Sequence, residues 1–185
     1  PTRRTRVLDR PRVLALSWAA LCFALFGLLA WAVVSDWSVL VDLDDRGRST
    51  EAWAVHETWL RRPLRGVEIA FGTVAMTVYT VLLAGMLVRR YRRAAIFTVG
   101  VMLATSLSTT LIKGAVNRDR PPWQSTDALL HNAAFPSGHA SAVAAFGGIV
   151  IVLVAMLVRR SNVRRITTLG VVLGVLGVGA DRLLL

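Results

Sequence analysis

Apolar residues come in five uninterrupted runs: Val13 to Val34, Ile69 to Val88, Ala94 to Ile112, Ala140 to Val158, and Ile166 to about Leu185. Each approaches the roughly 20 residues that an α-helix needs to cross about 30 Å of hydrocarbon. The pattern predicts an all-α, multi-pass transmembrane bundle forming one membrane-embedded domain over residues 1–185, with five spans. A cleaved signal peptide is the alternative for the first run, because Arg3, Arg4 and Arg6 precede it and Ala30 and Ala32 have the A-x-A spacing. Its 22 apolar residues exceed the about 7–15 of a signal core, so a retained helix is expected.

Polar punctuation sets the orientation. Arginines cluster in the N-terminal tail (Arg3, Arg4, Arg6, Arg10, Arg12), between the second and third runs (Arg89, Arg90, Arg92, Arg93) and between the fourth and fifth (Arg159, Arg160, Arg164, Arg165). If every run spans, all three clusters lie on one side, which the positive-inside rule makes the cytoplasm. The protein is therefore expected in the cytoplasmic membrane, with residues 35–65 and 113–139 as outer loops.

The first outer loop carries Asp36, Asp42, Asp44 and Asp45, whose spacing matches no cation-binding loop and reads as a solvated acidic segment. Ala52, Val55, His56 and Trp59 follow at helical spacing, which predicts a short interfacial helix with Trp53 and Trp59 at headgroup depth. Gly170 and Gly174 form a small-xxx-small pair, expected to mark a close helix contact.

Composition agrees with a lipid environment: of 185 residues, 55 % are hydrophobic and 18 % charged. The net charge of +11 would suggest nucleic acid in a soluble protein, but its confinement to span flanks argues for a bilayer instead. The one cysteine, Cys22, lies inside an apolar run, so neither an internal disulfide nor a thiolate metal cluster can form. No metal or other cofactor is implied.

The loop between the third and fourth runs departs from the charge rule, because Lys113, the only lysine, faces outward with Arg118 and Arg120. The segment reads Lys113-Gly114-Ala115-Val116-Asn117-Arg118-Asp119-Arg120-Pro121, and Pro136-Ser137-Gly138-His139 stands immediately before the fourth run. Phosphate monoester hydrolysis spreads negative charge over three equatorial oxygens, so it needs fixed positive charge and donors aimed at them. Lys113 can supply a point charge and Arg120 a planar fork for two oxygens. Ser137 is a favoured N-cap residue, which would leave the N–H groups of Gly138 and His139 as first-turn donors with the helix dipole behind them. Gly138 allows close approach of an oxyanion. An imidazole titrates near neutral pH, so His139 can act as general acid toward a departing alkoxide.

A plainer account gives Pro, Ser and Gly a capping role alone and leaves the arginines to meet anionic headgroups, at about 1 kcal/mol each. Ordinary residue usage produces a given Pro-Ser-Gly-His tetrapeptide on the order of once per 10⁵ positions. Its pairing with K-x6-R-P in the same loop makes coincidence a poor explanation.

At these residues the chain resembles the type 2 phosphatidic acid phosphatases, also called lipid phosphate phosphatases. Lys113, Arg120 and Pro121 match the family's K-x6-R-P motif, and Pro136 to His139 match P-S-G-H. Of the third motif, S-R-x5-H-x3-D, the chain shows a possible start in Asp181-Arg182, with Asp in place of Ser. A snorkelling interfacial arginine is the alternative for Arg182.

The resemblance implies a bundle of six helices whose motifs converge at the outer surface. Lys113, Arg120, Ser137, Gly138 and Arg182 would bind the phosphate and His139 would be the acid. The third-motif histidine would attack phosphorus to give a phosphohistidine that water then hydrolyses. That histidine is expected six positions beyond Arg182, followed by an aspartate and a sixth apolar run. The opening on Pro1 rather than methionine is read in the same way, as the mark of a cropped chain. Without that histidine, residues 1–185 are expected to bind phosphate without turning it over.

The implied function is metal-independent hydrolysis of a membrane lipid phosphate or isoprenoid pyrophosphate, of the phosphatidic acid, phosphatidylglycerol phosphate or undecaprenyl pyrophosphate type. Two rivals differ in class. A catalytically inactive relative would bind lipid phosphate or scaffold a complex, and a small anion transporter component would line a path with Lys113 and the arginines. Thr105, Ser106, Ser108, Thr109 and Thr110 lean toward the site end of the third run, where interhelical hydrogen bonding explains them equally well.

Overall fold

The computed structural model describes residues 10–40, 42, 58–117 and 135–184, the backbone alone being described at 10, 11, 58–61, 63, 64 and 181–184. Its helices are α1 (Arg10–Val34), α2 (Thr58–Ala70), α3 (Thr73–Val88), α4 (Arg92–Val116), α5 (Gly138–Leu157) and α6 (Ser161–Leu184). The protein is all-α and multi-pass, as the hydropathy pattern predicts. The chain divides into two compact units, residues 1–43 with α1 and residues 44–185 with α2 to α6.

In the first unit α1 is apolar on every side, with Phe23 78 % exposed, the surface of a helix made for lipid. It ends where Asp36 takes the left-handed conformation (φ 48°) and Trp37 N–H donates to Ala32 O at 3.1 Å. That pairing satisfies a last-turn carbonyl.

In the second unit the run from Ile69 to Val88, expected as one span, is two helices. Gly72 adopts an extended conformation (φ −66°, ψ 166°) and forms the N-cap of α3. Any residue can adopt that backbone, but the Glu68 carbonyl stands 3.0 Å from where a Cβ on residue 72 would be, a closeness that the missing side chain permits. Among the described residues four helices are long and apolar enough to cross a membrane, α1, α4, α5 and α6, whereas α3 has 16 residues, about 24 Å of rise.

The arginine clusters of this unit sit at helix ends rather than in long loops. Residues 89–91 join α3 to α4 and residues 158–160 join α5 to α6, so each pair runs antiparallel. At that end Leu87 of α3, Ala95 of α4 and Ile149 and Leu153 of α5 form one buried cluster. At the opposite end Met76 of α3, Val143 of α5 and Val178 of α6 form another, with Val67 of α2 and Phe71 packed on it. Arginine turns thus share one end of the bundle, and the start of α5 lies at the other.

Two local expectations are revised. The close contact of α5 with α6 falls at Gly147, where a Cβ would stand 2.5 Å from Val171 Cγ1. Gly170 and Gly174 have no such neighbour within 4 Å. The interfacial helix expected near Ala52 to Trp59 falls mostly outside the described residues, but α2 is strongly amphipathic. It turns Val67 inward and leaves Arg62, Arg65 and Glu68 exposed.

Candidate active site

α4 continues to Val116, one turn beyond the expected end at Ile112, so Lys113 lies in the last helical turn rather than in a loop. A cation there is favoured by the negative end of the helix dipole. Asn117 closes the helix in the left-handed conformation (φ 42°), its N–H donating to Lys113 O at 2.9 Å.

α5 begins at Gly138 with Ser137 as N-cap, and Ser137 Oγ accepts from Ala140 N–H at 3.4 Å. Ser137 O takes two further bonds, from Ser141 N–H at 3.1 Å and Ser141 Oγ at 2.9 Å. Gly138 and His139 are therefore the first two helical residues, whose N–H groups point out of the helix end. A Cβ built on Gly138 meets no protein atom within 4 Å, so the approach to these donors is open. Pro136 is buried and Ser137, Gly138 and His139 are half-buried.

The end of α4 and the start of α5 face a common cleft of about 690 Å³, whose wall includes Lys113, Asn117, Gly138 and His139. Its third side, which the motifs do not predict, is the junction of α2 with α3. Phe71 and Thr73 line the cleft, and the Cβ that Gly72 lacks would sit 3.9 Å from His139 Nε2. From there Thr73, Thr77 and Thr80 descend one face of α3, opposite Thr105, Ser106, Thr109 and Thr110 of α4. The i, i+4, i+7 spacing of the α3 threonines was the available signal.

These hydroxyls bond within their own helices: Thr77 Oγ1 to Thr73 O (2.8 Å), Thr80 Oγ1 to Met76 O (2.7 Å), Thr105 Oγ1 to Val101 O (2.9 Å) and Thr110 Oγ1 to Ser106 O (3.0 Å). With the donors turned back to the backbone, the oxygens keep acceptor capacity toward the cleft. Farther from Lys113 the lining becomes apolar, with Val81, Val99, Met102 and Leu103.

Of the six residues expected in the site, Lys113, Gly138 and His139 line this cleft and Ser137 caps the helix that carries two of them. Arg118, Arg120 and Pro121 lie outside the described residues. Arg182 is one turn past the buried Val178 in α6, its backbone alone described.

The family model of the PAP2 superfamily matches residues 93–185. The chain belongs to the PAP2 superfamily. No curated protein and no solved structure matches it. PAP2 proteins are phosphatases, so the activity the family implies is hydrolysis of phosphate esters. The match covers α4 to α6 and every expected site residue, whereas Gly72 and the threonine face of α3 precede it.

Proposed function

We propose that this PAP2 protein is an integral membrane phosphatase that hydrolyses a lipid phosphate or isoprenoid pyrophosphate. Lys113, Arg120, Arg182, the Ser137 hydroxyl and the N–H groups of Gly138 and His139 hold the phosphate. His139 protonates the leaving oxygen, and the third-motif histidine that the resemblance implies attacks phosphorus. The arginine turns at the opposite end of the bundle favour a cytoplasmic location for that end and an outward-facing site in the cytoplasmic membrane.

The cleft carries the lipid part of this reading. Its lining runs along α4 from Asn117 to Val99, 18 helical positions or about 27 Å, and passes from charge through hydroxyls to hydrocarbon. That gradient suits an amphiphile whose phosphate is at Lys113 and whose tail lies along Met102 and Leu103. A water-soluble phosphate ester would use only the first few ångströms.

The test is phosphate release by the full-length protein in detergent micelles with EDTA present, from a long-chain lipid phosphate and from a glycerol phosphate without the tail. The reading expects kcat/KM to favour the lipid by at least about 10²-fold, the scale of a few buried methylenes. Leu103→Trp should lower the rate on the lipid alone. Equal rates on the two substrates would remove the lipid from the proposal.

A further inference from the structure

Every threonine of α3 and α4 lines the cleft except Thr98, which is fully buried and bonded to Ala94 O. Thr77 and Thr80 on one wall, and Thr105 and Thr110 on the other, turn their hydroxyl hydrogens to backbone carbonyls at 2.7–3.0 Å. What each presents to the cleft is therefore an oxygen that accepts. On α4 the hydroxyls reach from Thr110 to Thr105, three to eight positions from Lys113, or about 4–12 Å along the axis. On α3 they reach from Thr73 to Thr80, about 10 Å. Beyond them both walls turn to hydrocarbon, at Val81 and at Leu103.

An acyl chain is a poor match for this band, because an oxygen packed against hydrocarbon forgoes the hydrogen bond it can accept. The ester oxygens of phosphatidic acid are no better, since they accept and do not donate. A second phosphate would set anionic oxygens against accepting ones. We propose that the substrate carries a neutral hydroxylated unit, a sugar or polyol, between the scissile phosphate and the hydrocarbon, and that the threonine walls accept its hydroxyl hydrogens. This rests on the phosphatase reading of the cleft and deepens it by naming what separates the phosphate from the tail. The α3 wall precedes the residues matched by the family, 93–185, so this selectivity comes in part from the amino-terminal half of the chain.

The experiment measures phosphate release by full-length protein in detergent micelles from two lipids with the same acyl chains. One is phosphatidic acid, and the other is a glycosyl diacylglycerol phosphorylated on the primary hydroxyl of its sugar. The wild type is expected to favour the glycosylated lipid in kcat/KM by at least about 10-fold, the scale of one or two hydrogen bonds. Thr77→Val with Thr110→Val, which keeps shape and removes two accepting oxygens, should bring that ratio to within about threefold of one. Thr98→Val, away from the cleft, should leave the ratio at its wild-type value, and thermal unfolding in detergent reports that each variant is folded.

Release from both lipids with a wild-type ratio near or below one overturns the proposal and leaves the phosphatase reading standing. A ratio that survives in the folded double variant overturns it too, because the selectivity would then come from elsewhere. No release from either lipid overturns the phosphatase reading and this proposal with it.

Discussion

Lys113 in the last turn of α4 and His139 in the first turn of α5 line the same cleft, each at the helix end that suits its chemistry. A lysine at a C-terminus is held by the dipole. At an N-terminus, by contrast, backbone N–H groups gather around an anion. The two ends meet because α4 and α5 are neighbours whose polar ends face the same side.

Lys113→Ala should lower kcat/KM on the lipid phosphate by about 10²-fold or more, the usual loss when one preorganised charge is removed from a developing oxyanion. Steady-state kinetics on purified protein would show it. Lys113→Arg should recover little, because a planar fork does not replace a compact ammonium. A Lys113→Ala variant with normal kinetics would leave the phosphate outside this cleft.

Ser137 has two tasks that substitutions can separate. Its oxygen accepts the Ala140 N–H while its hydroxyl hydrogen remains able to reach a phosphate. Ser137→Ala should cost about 0.5–1 kcal/mol of stability, the lower part of the capping range given the long 3.4 Å bond. Ser137→Asp should preserve the cap and the melting temperature, yet reduce activity further by repelling phosphate. Thermal unfolding and turnover measured on both variants check the pair.

Gly147 faces Val171 so closely that an added methyl needs rearrangement. Gly147→Ala should destabilise the protein in detergent by about 1–3 kcal/mol, as overpacking does, and Val171→Ala should relieve it. Gly170→Ala and Gly174→Ala should be neutral or mildly stabilising, because nothing stands within 4 Å of either Cβ.

The glycines illustrate what a hydropathy pattern contains. Spacing places Gly170 and Gly174 on one helix face but does not say which neighbour that face meets, and the contact belongs to Gly147 instead. The break at Gly72 was hidden for a related reason: Phe71 and Gly72 extend an apolar run without interrupting it, and only backbone conformation separates α2 from α3. The charge of Lys113 ends the apolar run and so predicts a loop, although the α-helix favours a cation in its last turn. Polar residues with a chemical task were easier to read, since Lys113, Gly138 and His139 stand out against hydrocarbon. The hydroxyl-lined α3 wall was not, because threonine is common inside transmembrane helices.

The sidedness proposed from the arginines can be measured by thiol labelling. Cys22 is the one cysteine among these 185 residues, so with Cys22 and any cysteine outside them replaced by serine, Arg90→Cys, Arg160→Cys and Asn117→Cys each report a single position. A membrane-impermeant maleimide added to intact cells should label the substitution at Asn117 alone, and the other two only after permeabilisation. The reverse pattern would put the cleft on the cytoplasmic side.

The central claim, a lipid phosphate cleaved with His139 as the acid, is tested most directly by inorganic phosphate release from a long-chain lipid phosphate, comparing full-length protein with its His139→Ala variant in the presence of EDTA. The account predicts turnover by the wild type and a loss of about 10²–10⁴-fold in the variant, the range of general acid catalysis. Equal release from both proteins would contradict it.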